Sequence, residues 1–326
     1  MLKSLEMNNT LYPLLFEPTI KNYVWGGQNF SHFLQNNPDP TQPVAEIWAI
    51  YNHNRIRNGY LSGKTLHDLV RNFGKVLLGN FNHSKSYENF PLLIKLLDSQ
   101  EWLSLQVHPN DDQAIKLEGN GFNGKTEGWF VLDADPGAQL IAGIKPGIDK
   151  RALATSIQNG TITSQLHYHA IHKNDYIFIP AGTIHALGPG ARVYEIQQNS
   201  DVTYRVYDWD RPASTGRSLH IEKSIAVANT TSQGLLQKSL DLPYQNIFNC
   251  EYFSLDLHQS EDQKFELEPN QDTFHALTVI QGIAEFSGPD TQFSINQYES
   301  VLVPANYPSY QLAGKFKILK ASLNRN

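Results

Sequence analysis

Leu103-Ser104-Leu105-Gln106-Val107-His108-Pro109 alternates apolar and polar side chains and then stops at a proline. A period of two is the pattern of a strand with one buried face. Leu103, Leu105 and Val107 face one way, and Ser104, Gln106 and His108 the other. A row of three polar groups is either a solvated surface or the lining of a site, and the strand alone leaves both open. Pro109 ends the run, and Asn110-Asp111-Asp112 reads as a helix start.

Working outward, strand-like runs dominate the chain. They are rich in Val, Ile, Tyr and Phe and punctuated by Gly, Pro, Asn and Asp: 176–180, 192–197, 202–207, 252–257, 276–280 and 299–303. Helical patterns are fewer. The clearest starts at Leu66, with Leu69, Val70, Phe73, Val76 and Leu77 on one face, Thr65 as N-cap and Asp68 in the first turn. Shorter ones are expected near 111–117, 149–158 and 221–228. Ser232-Gln233-Gly234 marks a joint, after which the pattern is all-β. There is also a faint internal repeat. Tyr176-Ile177-Phe178-Ile179-Pro180-Ala181 matches Ser300-Val301-Leu302-Val303-Pro304-Ala305, and 126–132 lies over 273–279 with Phe274 at the place of Glu127. Two related β-sandwich or barrel units are expected, one with chemistry and one without.

The bulk properties limit the function. With 26 basic and 32 acidic residues the net charge is −6, which argues against nucleic acid, a partner that needs a basic footprint. A single cysteine, Cys250, excludes an intramolecular disulfide and a multi-cysteine zinc site. The first ten residues hold no apolar signal-peptide core, and no run approaches a membrane span. A soluble cytoplasmic protein is the expectation; oligomeric state is not readable.

Four residues form a chemically coherent set: Gln106, His108, Glu127 in Gly124-Lys125-Thr126-Glu127, and His185 after Pro180-Ala181-Gly182-Thr183. Two imidazoles and a carboxylate suit zinc, with an amide oxygen as a tolerable fourth ligand. Taken singly, Glu127 reads as an exposed turn residue and His185 as a solvated loop histidine. His167-Tyr168-His169 is a more obvious metal pattern but reads as one face of an outer strand. Lys95 interrupts Leu92-Leu93-Ile94-Lys95-Leu96-Leu97; it either points into a polar cavity or snorkels at an edge. Glu195 and Arg205 lie on strand faces where they could form a cross-strand ion pair.

At these residues the chain resembles the type I phosphomannose isomerases. The resemblance rests on Trp25-Gly26-Gly27, the stretch from Phe90 to Asp98, Leu103 to Pro109, Gly124 to Glu127, Pro180 to Ala186, Gln197 to Asp201 and Thr203 to Asp208, in that order. One departure is Ala45-Glu46-Ile47-Trp48-Ala49, where the family more often has Gly-Glu-Ser-Trp-Glu. The resemblance implies a mainly β protein with two cupin-like jelly-roll domains. The first, 1–232, would carry the metal and a helical insertion at about 60–90 and 109–120, and the second, 233–326, would be metal-free. It implies one zinc ion per chain on Gln106, His108, Glu127 and His185, Arg205 at the reacting end of a sugar phosphate, Ser104, Lys95 and Lys125 near substrate, and Glu195 as a cavity carboxylate.

The reaction implied is interconversion of mannose 6-phosphate and fructose 6-phosphate through a cis-enediol. Arg205 would face the developing oxyanions. Glu195, Lys125 and a metal-bound hydroxide remain alternative proton carriers. Lys95 with Ser104 is the expected phosphate end. A non-catalytic sugar-phosphate-binding cupin and an iron-dependent cupin oxygenase are the rival readings, distinguished by metal content and by the presence of both Arg205 and Lys125.

Overall fold

A computed structural model describes residues 11–34, 41–80, 88–212, 214 and 217–324. The signal-peptide reading of the first ten residues lies outside them. The chain divides into two compact units: residues 18–51 with 91–241, and residues 1–17 with 52–90 and 242–326.

In the unit built around 91–241, eight strands form a jelly roll: β1 (Leu92–Ser99), β2 (Leu105–Val107), β3 (Glu127–Ala134), β4 (Gln139–Ile144), β5 (Leu166–Ala170), β6 (Asp175–Ile179), β7 (His185–Leu187) and β8 (Ala191–Gln198). One sheet runs β6-β3-β8-β1, widened by strands Glu46–Ile50, Thr19–Lys21 and Leu236–Lys238; the other runs β2-β7-β4-β5, with Tyr204–Tyr207 beyond β2. Strand β1 is buried throughout, as a central strand covered on both faces requires. The inner faces bury Leu97, Trp129, Val131, Leu140, Ile177 and Val193 against one another.

The polar face read at 103–109 turns away from solvent. Leu105 and Val107 turn outward under helices α3 (Lys150–Gln158) and α4 (Ile221–Val227), packing with Leu153, Ile157 and Val227. Ser104 and His108 turn inward and are 1% and 2% exposed, so this polar row is no solvated surface. Helix α2 (Asp111–Glu118) starts where expected, its Asn110 cap and Gln113 bonding reciprocally. The decoy pair His167 and His169 sits on β5, at the edge of its sheet.

The other unit repeats the same strand order: β9 (Ser254–Ser260), β10 (Phe265–Leu267), β11 (His275–Gly282), β12 (Ala284–Gly288), β13 (Thr291–Ile295), β14 (Ser300–Val303), β15 (Tyr310–Ala313) and β16 (Phe316–Ser322). Its sheets run β9-β16-β11-β14 and β10-β15-β12-β13. Each strand therefore corresponds to the one eight earlier. The first sheet is extended by Tyr244–Asn249 on one side and by Leu14–Glu17 and Arg55–Ile56 on the other. This unit also carries α1 (Leu66–Leu78), opened by the Thr65–Asp68 capping box that the sequence pattern anticipates.

Two expectations need correction. A single boundary at residue 232 misses the interleaving: strand Leu14–Glu17 pairs with β14 on one side and with Arg55–Ile56 on the other, so residues 1–17 and the helical stretch 52–90 belong with the C-terminal unit. The repeat is also shifted by one residue in the expected overlay. Ile179 pairs with Glu127, and its counterpart Val303 pairs with His275. His275, not Phe274, stands at the place of Glu127. Phe274 is a core residue packed against Phe90, with ring centroids 4.8 Å apart.

Candidate active site

The candidate ligands converge because of strand register. His185 opens β7 directly opposite Gln106 on β2. Glu127 opens β3 beside Ile179 and Gln197. His108 lies just past β2, where its carbonyl accepts from Gly182 N–H at 2.8 Å and so holds the β2 end beside the loop that leads to His185. Lys125 N–H donates to the Pro109 carbonyl at 3.0 Å. Gly124 permits that approach, since a Cβ there would lie 2.5 Å from the Asn110 backbone.

His108, Glu127 and His185 are fully buried, with ligand atoms within 4.8 Å of one another. The carbonyls of Val202 and Thr183 each lie 2.9 Å from a ring Nδ1, of His108 and His185 respectively. A carbonyl only accepts, so both Nδ1 atoms carry the proton and both Nε2 atoms present lone pairs. This is how metal-binding histidines are oriented. Burial, with Lys125 beside it, holds the His108 imidazole well below its ordinary pKa and therefore neutral. Burial opposes ionisation of Glu127, but the Lys125 ammonium beside it outweighs this and holds the carboxyl well below its usual range.

Glu127 Oε1 lies 3.2 Å from His185 Nε2 and has no hydrogen-bond partner among the described residues. Two lone-pair atoms thus face each other in a buried site, the arrangement a cation resolves. The donor set of two imidazoles and one carboxylate fits a first-row divalent metal such as zinc. Gln106 Nε2 sits 3.3 Å from His185 Nε2, which places its amide at the same point. Lys125 Nζ is 3.1 Å from His108 Nε2 and pairs with Glu127.

Above these residues opens a cavity of about 730 Å³, lined by Gln106, Lys125, Ser104, Lys95, Glu195 and Arg205, all expected from sequence, and by Trp25, Trp48 and Arg217. Two sequence expectations change. Lys95 is not a free cation: its ammonium lies 2.8 Å from Glu195 and 3.8 Å from Glu46, both nearly buried. Burial pulls the Lys95 ammonium down, and the two carboxylates more than reverse this, so its pKa is raised. Glu195 pairs with Lys95 and accepts from Trp129 Nε1 at 3.0 Å. The anticipated Glu195–Arg205 pair is absent among the described residues, because Arg205 lies opposite Gln106 in the other sheet.

Arg205 donates to the Ser218 carbonyl at 2.9 Å, and its Nε has no hydrogen-bond partner among the described residues. Arg217, which the sequence reading missed, donates to Ser104 Oγ at 2.8 Å. Its other terminal nitrogen, 3.5 Å from Asp208, makes no hydrogen bond within the described residues. Arg217 follows no strand period, so no local pattern marks it.

A jelly roll with a buried His-Glu-His triangle under a cation-lined cavity defines a cupin with a candidate metal centre. Models of the phosphomannose isomerase type I catalytic domain and of the mannose-6-phosphate isomerase cupin domain match residues 14–124 and 244–323. The chain belongs to the type I phosphomannose isomerases. It is 33% identical to mannose-6-phosphate isomerase ManA of Bacillus subtilis, over 94% of this chain and 97% of that one. It is 32% identical to mannose-6-phosphate isomerase of Streptococcus mutans, over 96% and 98%. The crystal structure of mannose 6-phosphate isomerase from Bacillus subtilis superposes with a TM-score of 0.85 at 31% identity, covering 95% of this chain and 99% of that one. Among the described residues no helix is long and apolar enough to cross a membrane.

Proposed function

We propose that this chain interconverts mannose 6-phosphate and fructose 6-phosphate in the 730 Å³ cavity, with one zinc ion held by His108, Glu127 and His185 and with Gln106 as fourth ligand. The observation that carries the reading is the buried triangle directly beside Lys125, in a cavity also lined by Arg205 and Arg217, each with a nitrogen that makes no hydrogen bond among the described residues. When bound, the metal supplies Lewis-acid polarisation of substrate oxygens.

The chain's own residues account for the remaining needs. The C2 proton of the aldose leaves, its electron pair forms the C1=C2 bond of a cis-enediol, and O1 gains a proton. Protonation at C1 and loss of the O2 proton then give the ketose. Arg205, always protonated and bidentate, faces the oxygens where negative charge develops. Lys125, paired with Glu127, and Glu195, engaged by Lys95 and Trp129, are the two side chains at the cavity able to carry the proton. Arg217 and Ser104, rather than the neutralised Lys95, suit the phosphate. Trp25 and Trp48 wall the cavity against bulk water.

A coupled assay for fructose 6-phosphate, run on wild type and Arg205→Ala with metal content measured in both, tests this. The reading expects kcat to fall by about 10²-fold or more with metal retained. Sugar-phosphate binding without turnover in the wild type would make the protein a non-catalytic binder, and metal loss in Arg205→Ala would make Arg205 structural.

A further inference from the structure

The corrected register maps the interior of one jelly roll onto the other. Trp129 corresponds to Leu277, so Glu195, opposite Trp129, corresponds to Lys320, opposite Leu277. Lys95, opposite Glu195, corresponds to Asp256, opposite Lys320. The buried Lys95–Glu195 pair at 2.8 Å thus recurs in the C-terminal roll as Asp256–Lys320 at 2.9 Å, with its charges exchanged. By the same ladder Gln197 corresponds to Ser322 and Leu93 to Ser254, while Glu127 corresponds to His275. His185, first residue of β7 and opposite Gln106, corresponds to Tyr310, first residue of β15 and opposite Leu267. The metal triangle is gone: His275 Nδ1 pairs instead with the Tyr310 hydroxyl at 2.9 Å.

The polar interior is nevertheless kept, and it opens. A cavity of about 440 Å³ is lined by Ser254, Thr273, His275, Lys320 and Ser322, with Glu266 and Glu268 at its edge. Interior serines and a buried ion pair are an expensive way to fill a β-core, since well-packed apolar residues serve stability at least as well. The cavity contents define what it accepts. Among the described residues its lysine is already neutralised by Asp256, no arginine lines it, and its edge is acidic, so these residues offer no free cation for a phosphate. Its lining does offer the hydroxyls of Ser254, Thr273 and Ser322, the His275 imidazole and the Lys320 ammonium, a mixed set of polar groups of the kind that sugar hydroxyls pair with.

We propose that the C-terminal jelly roll binds a neutral polyhydroxylated molecule, an unphosphorylated monosaccharide or alditol, in the cavity floored by Lys320, Ser322 and His275. This rests on the C-terminal roll alone and is independent of the chemistry proposed for the other. Saturation-transfer NMR on the full chain, with D-mannose, D-fructose and D-mannitol as probes, tests it. Signal from at least one probe is expected in wild type and in Arg205→Ala. Ser322→Leu, which fills the cavity, should weaken that signal about fivefold or more, while isomerase kcat/KM stays within about twofold of wild type. Should Ser322→Leu fail to fold, Ser254→Val is the second plug. No signal from any probe in wild type, signal that survives the plug, or signal lost in Arg205→Ala would each overturn the proposal.

Discussion

Replacing Lys95 by Met should destabilise its unit more than any single change on the rim of the cavity. The Lys95 and Glu195 side chains are 9% and 4% exposed, and Glu46 is 11% exposed. Removing the ammonium leaves two buried carboxylates facing each other, each with one remaining donor: Trp129 Nε1 on Glu195 and Trp48 Nε1 on Glu46. Breaking a buried pair from one side costs about 3–5 kcal/mol. Glu195→Gln is milder, because Lys95 keeps Glu46 and Trp129 keeps its acceptor; about 1–3 kcal/mol is expected. The assay is urea unfolding followed by tryptophan fluorescence. All five tryptophans, at 25, 48, 102, 129 and 209, lie in the unit that contains the pair, so the signal reports that unit. With a slope of about 2 kcal/mol per molar, Lys95→Met should lower the midpoint by roughly 1.5–2.5 M. The pH dependence has a definite sign. The folded pKa of Lys95 lies above its ordinary 10.5, so the stabilisation is fully present below that value and fades as pH rises through the folded pKa. The gap between wild type and Lys95→Met should therefore be flat from neutrality to about pH 10 and close above it. An unchanged midpoint in Lys95→Met, or a larger loss in Glu195→Gln, would refute the reasoning.

Arg217→Ala removes a charged donor from Ser104 and from the proposed phosphate end, so KM for mannose 6-phosphate should rise about 10–100-fold with a smaller change in kcat; steady-state kinetics check the split. Gly124→Ala puts a methyl 2.5 Å from the Asn110 backbone and must displace Lys125, so activity should fall at least about tenfold while far-UV circular dichroism stays native. Thr65→Ala deletes the oxygen that accepts from Asp68 N–H, and should cost about 1 kcal/mol in thermal unfolding monitored by circular dichroism.

What could be read from sequence was local. Thr65 with Asp68 announced a helix because a capping box is built from neighbours, and the alternation at 103–109 set Ser104, Gln106 and His108 on one face for the same reason, without saying that the face turns inward. What could not be read was set by partners far along the chain. Lys95 interrupts an apolar strand, but nothing near it says that Glu195 and Glu46 will neutralise it. Leu14–Glu17 carries no sign that its partner is the strand at 300–303. The repeat illustrates both sides: Pro180-Ala181 and Pro304-Ala305 aligned the β6 and β14 ends correctly, whereas only the hydrogen-bond ladder distinguishes Phe274 from His275 as the counterpart of Glu127. Arg217 stayed hidden because it belongs to no periodic element.

The central claim is that His108, Glu127 and His185 hold the zinc on which isomerisation depends. Chelator-stripped protein, titrated with zinc while fructose 6-phosphate formation is followed, tests it most directly. The account predicts negligible activity without metal, and recovery that saturates at one zinc per chain in wild type but does not occur in His185→Ala. Full isomerase activity in metal-free protein would contradict it.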